Sequence, residues 1–167
     1  NVSALPFMIV ITFASTCSTL ISNLIGAGDA RYVRGTMNQC IRMAYLFELP
    51  LILFFVLFPT LILRIYTDMP DLISASVPSL FVLCSAYLLI VPGNVYFQAV
   101  SGTGNTRMAF FLELITLLIY IVYVVVMIFY LRVDVAVCWT TEHIYALGIF
   151  LFSAAYMKRG KWNDKRI

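Results

Sequence analysis

From Val2 to Ile25 the chain carries no charged side chain, and the first ionic group anywhere is Asp29. At 1.5 Å of helical rise per residue, a stretch of that length crosses a hydrocarbon layer of roughly 30 Å. Backbone N–H and C=O groups find no water there, so they must be bonded internally, as in a helix.

The same feature recurs along the chain. A second apolar stretch covers 43–63, between Arg42 and Arg64, and contains Glu48, Pro50 and Pro59. A third covers about 72–98, with Pro78 near its start and Pro92-Gly93 well inside, a pair that predicts a kink or break rather than a soluble loop. The fourth covers about 108–131. The fifth covers 135–157 and contains Glu142 and His143. Composition agrees: 62% of residues are hydrophobic and 11% charged, against about half and a quarter in soluble domains. A water-soluble domain, a disordered chain and a nucleic-acid-binding module are thereby excluded. The fold class expected is an all-α integral membrane protein with five transmembrane helices. Residues 1–157 form its membrane part and 158–167 a basic tail.

Charge sets the expected topology. Lys158, Arg159, Lys161, Lys165 and Arg166 crowd the last ten positions beside one acid, Asp164. Such a tail suits anionic lipid at the cytoplasmic face. With it inside, Arg31, Arg34, Arg42 and Arg107 also fall inside, and only Arg64 and Arg132 fall outside. Nine against two is a clear positive-inside pattern. The opening NVSALPFMIV has neither an initiator Met nor a basic leader, so it reads as an interior segment of something longer.

The polar residues within the spans carry the functional signal. Glu113, Thr116, Tyr120, Tyr123, Met127 and Tyr130 are spaced 3, 4, 3, 4 and 3 apart, which makes one helical stripe. Its hydroxyls need partners, so the stripe is either the wall of a substrate path or a helix–helix seam. Thr12, Ser15, Thr16, Thr19, Ser22, Asn23 and Gly26 form a small-residue stripe on the first helix, read as a packing face. Glu48 and Glu113 each follow an arginine by six residues, about 9 Å of rise, near enough to snorkel or pair at the interface. Glu142 lies deeper, on one face with Trp139 and with Tyr145 one turn beyond. A carboxylate beside aromatic rings attracts organic cations. Cys17, Cys40, Cys84 and Cys138 have no ligand spacing, and His143 stands alone, so neither a metal site nor a disulfide framework is expected. No nucleophile–base pair points to an enzyme. The Ser101–Arg107 stretch SGTGNTR reads as a tight turn rather than a phosphate cradle.

Three segments together resemble the multidrug and toxic compound extrusion family: STLISNLIGAGD (Ser18 to Asp29), PGNVYFQAVSGTGNTR (Pro92 to Arg107) and WTTEHIYALGIFLFSAAYMKRGKW (Trp139 to Trp162). The resemblance implies helices eight to twelve of a twelve-helix, two-lobe antiporter in the bacterial inner (plasma) membrane, with a cytoplasmic C-terminus. It further implies exchange of Na⁺ or H⁺ for bulky organic cations, no cofactor, and a partner in the absent N-terminal lobe of the same polypeptide. Pro92, Gly93, Gln98, Gly102 and Gly104 match its tenth-to-eleventh helix junction, a structural and gating element. Trp139 and Glu142 match the start of its twelfth helix. The tenth helix of members that bind cation in this lobe carries an acid. Here Asp71 lies only at the edge, which shifts attention to Glu113 and Glu48. Thr116, Tyr120 and Tyr123 are then candidate cavity wall. Lipid-linked oligosaccharide flippases share the architecture, and a non-transporting membrane scaffold or partner subunit is the remaining alternative.

Overall fold

The structure, a computed structural model, describes residues 2–159. The expected lipid-facing tail from position 160 onward, with Lys161, Asp164, Lys165 and Arg166, lies outside the described residues.

Five candidate spans are present, all helical. Helix α1 covers Ala4–Gly26, where the apolar run ends, and Gly28 at φ +81° turns the chain out of it. A 3₁₀ turn, Ala30–Tyr32, leads into α2, Val33–Leu57. The second span therefore begins ten residues before the expected boundary and ends six before it: isolated arginines do not stop the helix, and it ends where Phe58, the residue before Pro59, leaves helical geometry. Arg34 and Arg42 stay exposed on α2, and their long stems let the charge reach the membrane surface. Phe58 leaves helical geometry (φ −126°, ψ 50°), and Pro59 starts the short α3, Pro59–Arg64.

Helix α4, Pro70–Gly102, runs unbroken through Pro78 and Pro92, so of the expected kink or break there is no break. Its continuity at Pro92 has an identifiable source. Proline has no N–H, so the carbonyl four residues earlier, that of Leu88, loses its helical donor. The Tyr45 hydroxyl of α2 donates to that carbonyl at 2.5 Å. Helix α5, Thr106–Val125, continues in a π-helical turn, Val126–Tyr130. The last span is interrupted, with α6, Val135–Cys138, separated by Trp139 and Thr140 from α7, Thr141–Arg159.

Helix α4 is the hub, touching α1, α2, α3, α5, α6 and α7. Its contacts with α1 keep a register difference of 84: Tyr87 Oη donates to the Ser3 carbonyl at 2.8 Å, and Gly102 meets Ser18. A constant difference means that the two helices are parallel. With α7 it is parallel as well, Gly93 lying against Ala146 and Ile149. Helices α2 and α5 run the opposite way. The two glycines are required by distance: a Cβ at Gly102 would stand 2.6 Å from the Ser18 carbonyl oxygen, and one at Gly93 3.0 Å from that of Ala146. Arg31, Arg34, Arg107, Lys158 and Arg159 collect at one end of the bundle, here termed the basic end. Arg64 and Arg132 lie at the other.

Replacing Tyr45 with Phe is expected to destabilise the bundle by about 1–2 kcal/mol, because it leaves the Leu88 carbonyl without a donor inside a membrane-spanning helix. The same change in a Pro92→Ala background should cost much less, since alanine at that position restores the helical donor. Equal losses in both backgrounds, measured by reversible unfolding in micelles, would refute this role for the Tyr45 hydroxyl.

Candidate functional site

The polar stripe of α5 meets α7. Thr116 is 1% exposed; its hydroxyl donates to the Leu112 carbonyl at 2.8 Å, and its methyl lies where a Cβ on Gly148 would approach to 3.3 Å. Glu113 Oε1 accepts a 2.7 Å hydrogen bond from the Tyr145 hydroxyl. The Tyr145 ring sits edge-on to Tyr120, with centroids 6.0 Å apart, and Tyr123 Oη lies 3.0 Å from Thr140 Oγ1. At the basic end Asn105, which caps α5, donates from Nδ2 to Tyr156 Oη at 2.9 Å. Of the two readings of the stripe, these contacts favour a seam for Thr116 and Tyr123. Tyr120 and Met127 also face a cleft. Sequence spacing could not supply Tyr145 as the donor to Glu113, because the two are 32 positions apart on different helices.

Among the described residues neither Glu48 nor Glu113 pairs with an arginine. Glu48 lies 15 residues into α2, roughly 22 Å of rise from its start. It is fully buried, and neither carboxyl oxygen has a hydrogen-bond partner among the described residues. The snorkelling expectation fails because α2 starts at Val33, which carries Glu48 well beyond the reach of the basic end. Cys84 and Tyr87 of α4 are within its electrostatic reach. The hydroxyl protons of Tyr87 and Tyr45 are already committed to the Ser3 and Leu88 carbonyls. Glu113 keeps Oε2 buried and unpartnered beside its bonded Oε1.

Glu142 and Trp139 sit together between two clefts. One, of about 290 Å³, is lined also by Tyr120, Met127, Val135 and Cys138. The other, of about 360 Å³, opens between α1, α4 and α7 and adds Phe7, Tyr87, Asn94 and Tyr145. Beside them His143 Nε2 is 2.9 Å from Ser85 Oγ, and Nδ1 is buried with no partner among the described residues. Among the described residues no three His, Cys, Asp or Glu side chains converge as metal ligands, and the four thiols are free. Of the junction residues, Gly104 (φ +74°) makes the α4–α5 turn, while Pro92, Gly93, Gln98 and Gly102 all lie within the continuous α4.

The small-residue stripe of α1 departs from expectation. Thr12, Ser15, Thr16, Thr19, Ser22, Asn23 and Gly26 are all exposed, while Val10, Ala14, Cys17, Ile21 and Ile25 form the buried face on the opposite side. Thr12, Ser15, Thr16 and Thr19 satisfy their hydroxyls on carbonyls of their own helix, so no neighbouring helix is needed to hold them.

Comparison with known proteins places this arrangement. A family model described as MatE matches residues 1–129, which takes in α1 to α5 and leaves α7 beyond the match. Over 106 residues the chain is 27% identical to a protein described as probable multidrug resistance protein NorM from Thermotoga maritima. That match covers 64% of this chain and 23% of the relative, so the chain spans under a quarter of the relative's length. No solved structure matches it. A family match over most of the chain, on five membrane-length helices around one hub, means that this multi-pass helical membrane protein belongs to the MatE family.

Proposed function

We propose that the chain is part of an efflux antiporter that exchanges Na⁺ or H⁺ for organic cations, and that it supplies helices eight to twelve of a two-lobe, twelve-helix transporter. The observation that carries the cation-exchange reading is Glu48. A bare carboxylate with no donor and no countercharge is costly within a membrane bundle, by about 2.5–3.5 kcal/mol even on translocon-insertion scales. A proton or an alkali cation sharing the site removes that cost. Ion binding then favours the closed α1–α2–α4 packing, and ion loss favours a loosened one. Such a bias between two states is what exchange against a second ligand requires.

Glu113 is the second coupling candidate, held by Tyr145 on one oxygen and open on the other. For the exported compound, Glu142 and Trp139 offer a carboxylate and an aromatic face on the walls of adjoining clefts. Tyr120 lines one of these clefts, and the seam behind it holds Thr116 and Tyr123 in place. The exposed polar face of α1 is ill-suited to lipid, unlike the outer face of α5 with Phe110, Phe111, Leu118 and Val122. It supports the absent N-terminal lobe and the path between lobes as its neighbours. The basic end is assigned to the cytoplasmic face of the bacterial plasma membrane on charge, and Gly93 and Gly102 to the pivot about which α4 rocks. Such a protein is a carrier and not an enzyme.

In proteoliposomes holding the complete transporter, Glu48→Gln and Glu113→Gln are each expected to lower ion-driven export of an organic cation roughly tenfold or more, at unchanged membrane abundance. Unchanged export in both variants would remove these acids from coupling. Trp139→Ala and Glu142→Gln are expected to raise the Kd for a cationic dye by about 2- to 30-fold, the range of a desolvated cation–π or charge contact. Equal weakening for a neutral dye of the same size would show that the clefts do not select charge.

A further inference from the structure

We infer that the cleft between α2, α4 and α7 at the basic end binds the phosphate of an anionic lipid headgroup. The cleft measures about 150 Å³ and is lined by Arg34 and Asn38 of α2, Tyr96 of α4 and Lys158 of α7, with Met37 and Met157 between them. Among the described residues no carboxylate lines it. The ion pair found among the described residues, Arg31 with Asp29 at 3.9 Å, lies elsewhere, and neither Arg34 nor Lys158 has an acidic partner among those residues.

Helix stability does not explain the pair. Lys158 in the last turn of α7 complements its own helix dipole, but Arg34 in the first turn of α2 opposes its own, with no acid in that turn to offset it. Two cations from different helices facing one small cleft repel each other, and an anion between them turns the repulsion into attraction. The guanidinium offers paired donors to phosphate oxygens, the ammonium a point charge, and the Asn38 amide and Tyr96 hydroxyl further donors.

The position favours a lipid over free phosphate. Both cations stand at helix ends, at the depth where headgroups lie. Seven and eleven residues before Lys158, on the same face of α7, Leu151 and Leu147 are 53% and 41% exposed and form an apolar track for an acyl chain leading away from the cleft. Lipid binding here requires only that the chain spans a membrane, and it stands apart from the antiport reading.

The test titrates the full chain in micelles with phosphatidylglycerol, phosphatidylcholine or inorganic phosphate, following binding by native mass spectrometry and by thermal stabilisation. Phosphatidylglycerol is expected to bind and stabilise, while Arg34→Gln and Lys158→Gln each weaken it roughly tenfold. Arg107→Gln, a basic-end arginine outside the cleft, should change it by no more than about twofold. Arg34→Lys should fall between wild type and Arg34→Gln, because it keeps the charge and loses the fork. If Arg34→Gln yields no folded protein, Lys158→Gln carries the same comparison. Equal binding of phosphatidylcholine, or equal weakening by Arg107→Gln, overturns the site. Stabilisation by inorganic phosphate as strong as that by phosphatidylglycerol overturns the lipid and leaves a free-anion site.

Discussion

At Pro92 the hub helix loses a backbone donor in the middle of a membrane, and the Tyr45 hydroxyl of the neighbouring helix replaces it at the Leu88 carbonyl. The rest of the bundle depends on that replacement, because α4 must continue past Pro92 as a helix to meet α7 at Gly93 and α1 at Gly102. Its contacts are backbone-close at Gly102 and Gly93, where a methyl group would meet the Ser18 and Ala146 carbonyls. Lipid supplies no hydrophobic force between helices, so close approach and satisfied polar groups have to provide the cohesion. A proline that breaks soluble helices is here tolerated by a hydrogen bond from outside the helix.

The polar interior divides between two kinds of work. Thr116, Tyr123 and Tyr145 are satisfied by near neighbours and tie α5 to α7, whose span is interrupted at Trp139 and Thr140. Among the described residues, Glu48 and the second oxygen of Glu113 have no hydrogen-bond partner. Structural polar groups in apolar surroundings find partners, whereas groups that exchange an ion must be left able to take one. Ser153 Oγ and His143 Nδ1 are likewise buried without a partner among the described residues, so it is the ionisable carboxyl, and not the missing partner alone, that marks the two acids as coupling candidates.

Much of the architecture is legible in the primary structure. Apolar runs of membrane-crossing length, three of them carrying a single acid, mark five candidate spans, because hydrocarbon thickness converts directly into residue count. GAGD and SGTGNTR mark two turns through glycines that adopt positive φ, at Gly28 and Gly104. From Glu113 to Met127 the α5 stripe is legible as the more buried face, since its 3–4 spacing is helical geometry itself, whereas Tyr130 in the π-helical turn is exposed. Where one helix meets another is not legible. Tyr145 and Glu113, or Tyr45 and Leu88, are joined across 32 and 43 positions by packing that no local spacing encodes. The boundary of α2 was obscured for a related reason: arginines look like span ends by charge alone, although their stems allow them to ride on a helix that has already entered the membrane.

The sequence by itself therefore determined the class of the protein and the number of its candidate spans, because both follow from local apolarity and helix length. Only the tertiary structure decided which polar faces meet. It turned the small-residue face of α1 outward, buried Glu48 without a partner and brought Arg34 and Lys158 to one cleft. Burial and charge proximity are properties of the assembled bundle, and a helix carries them only once its neighbours are in place.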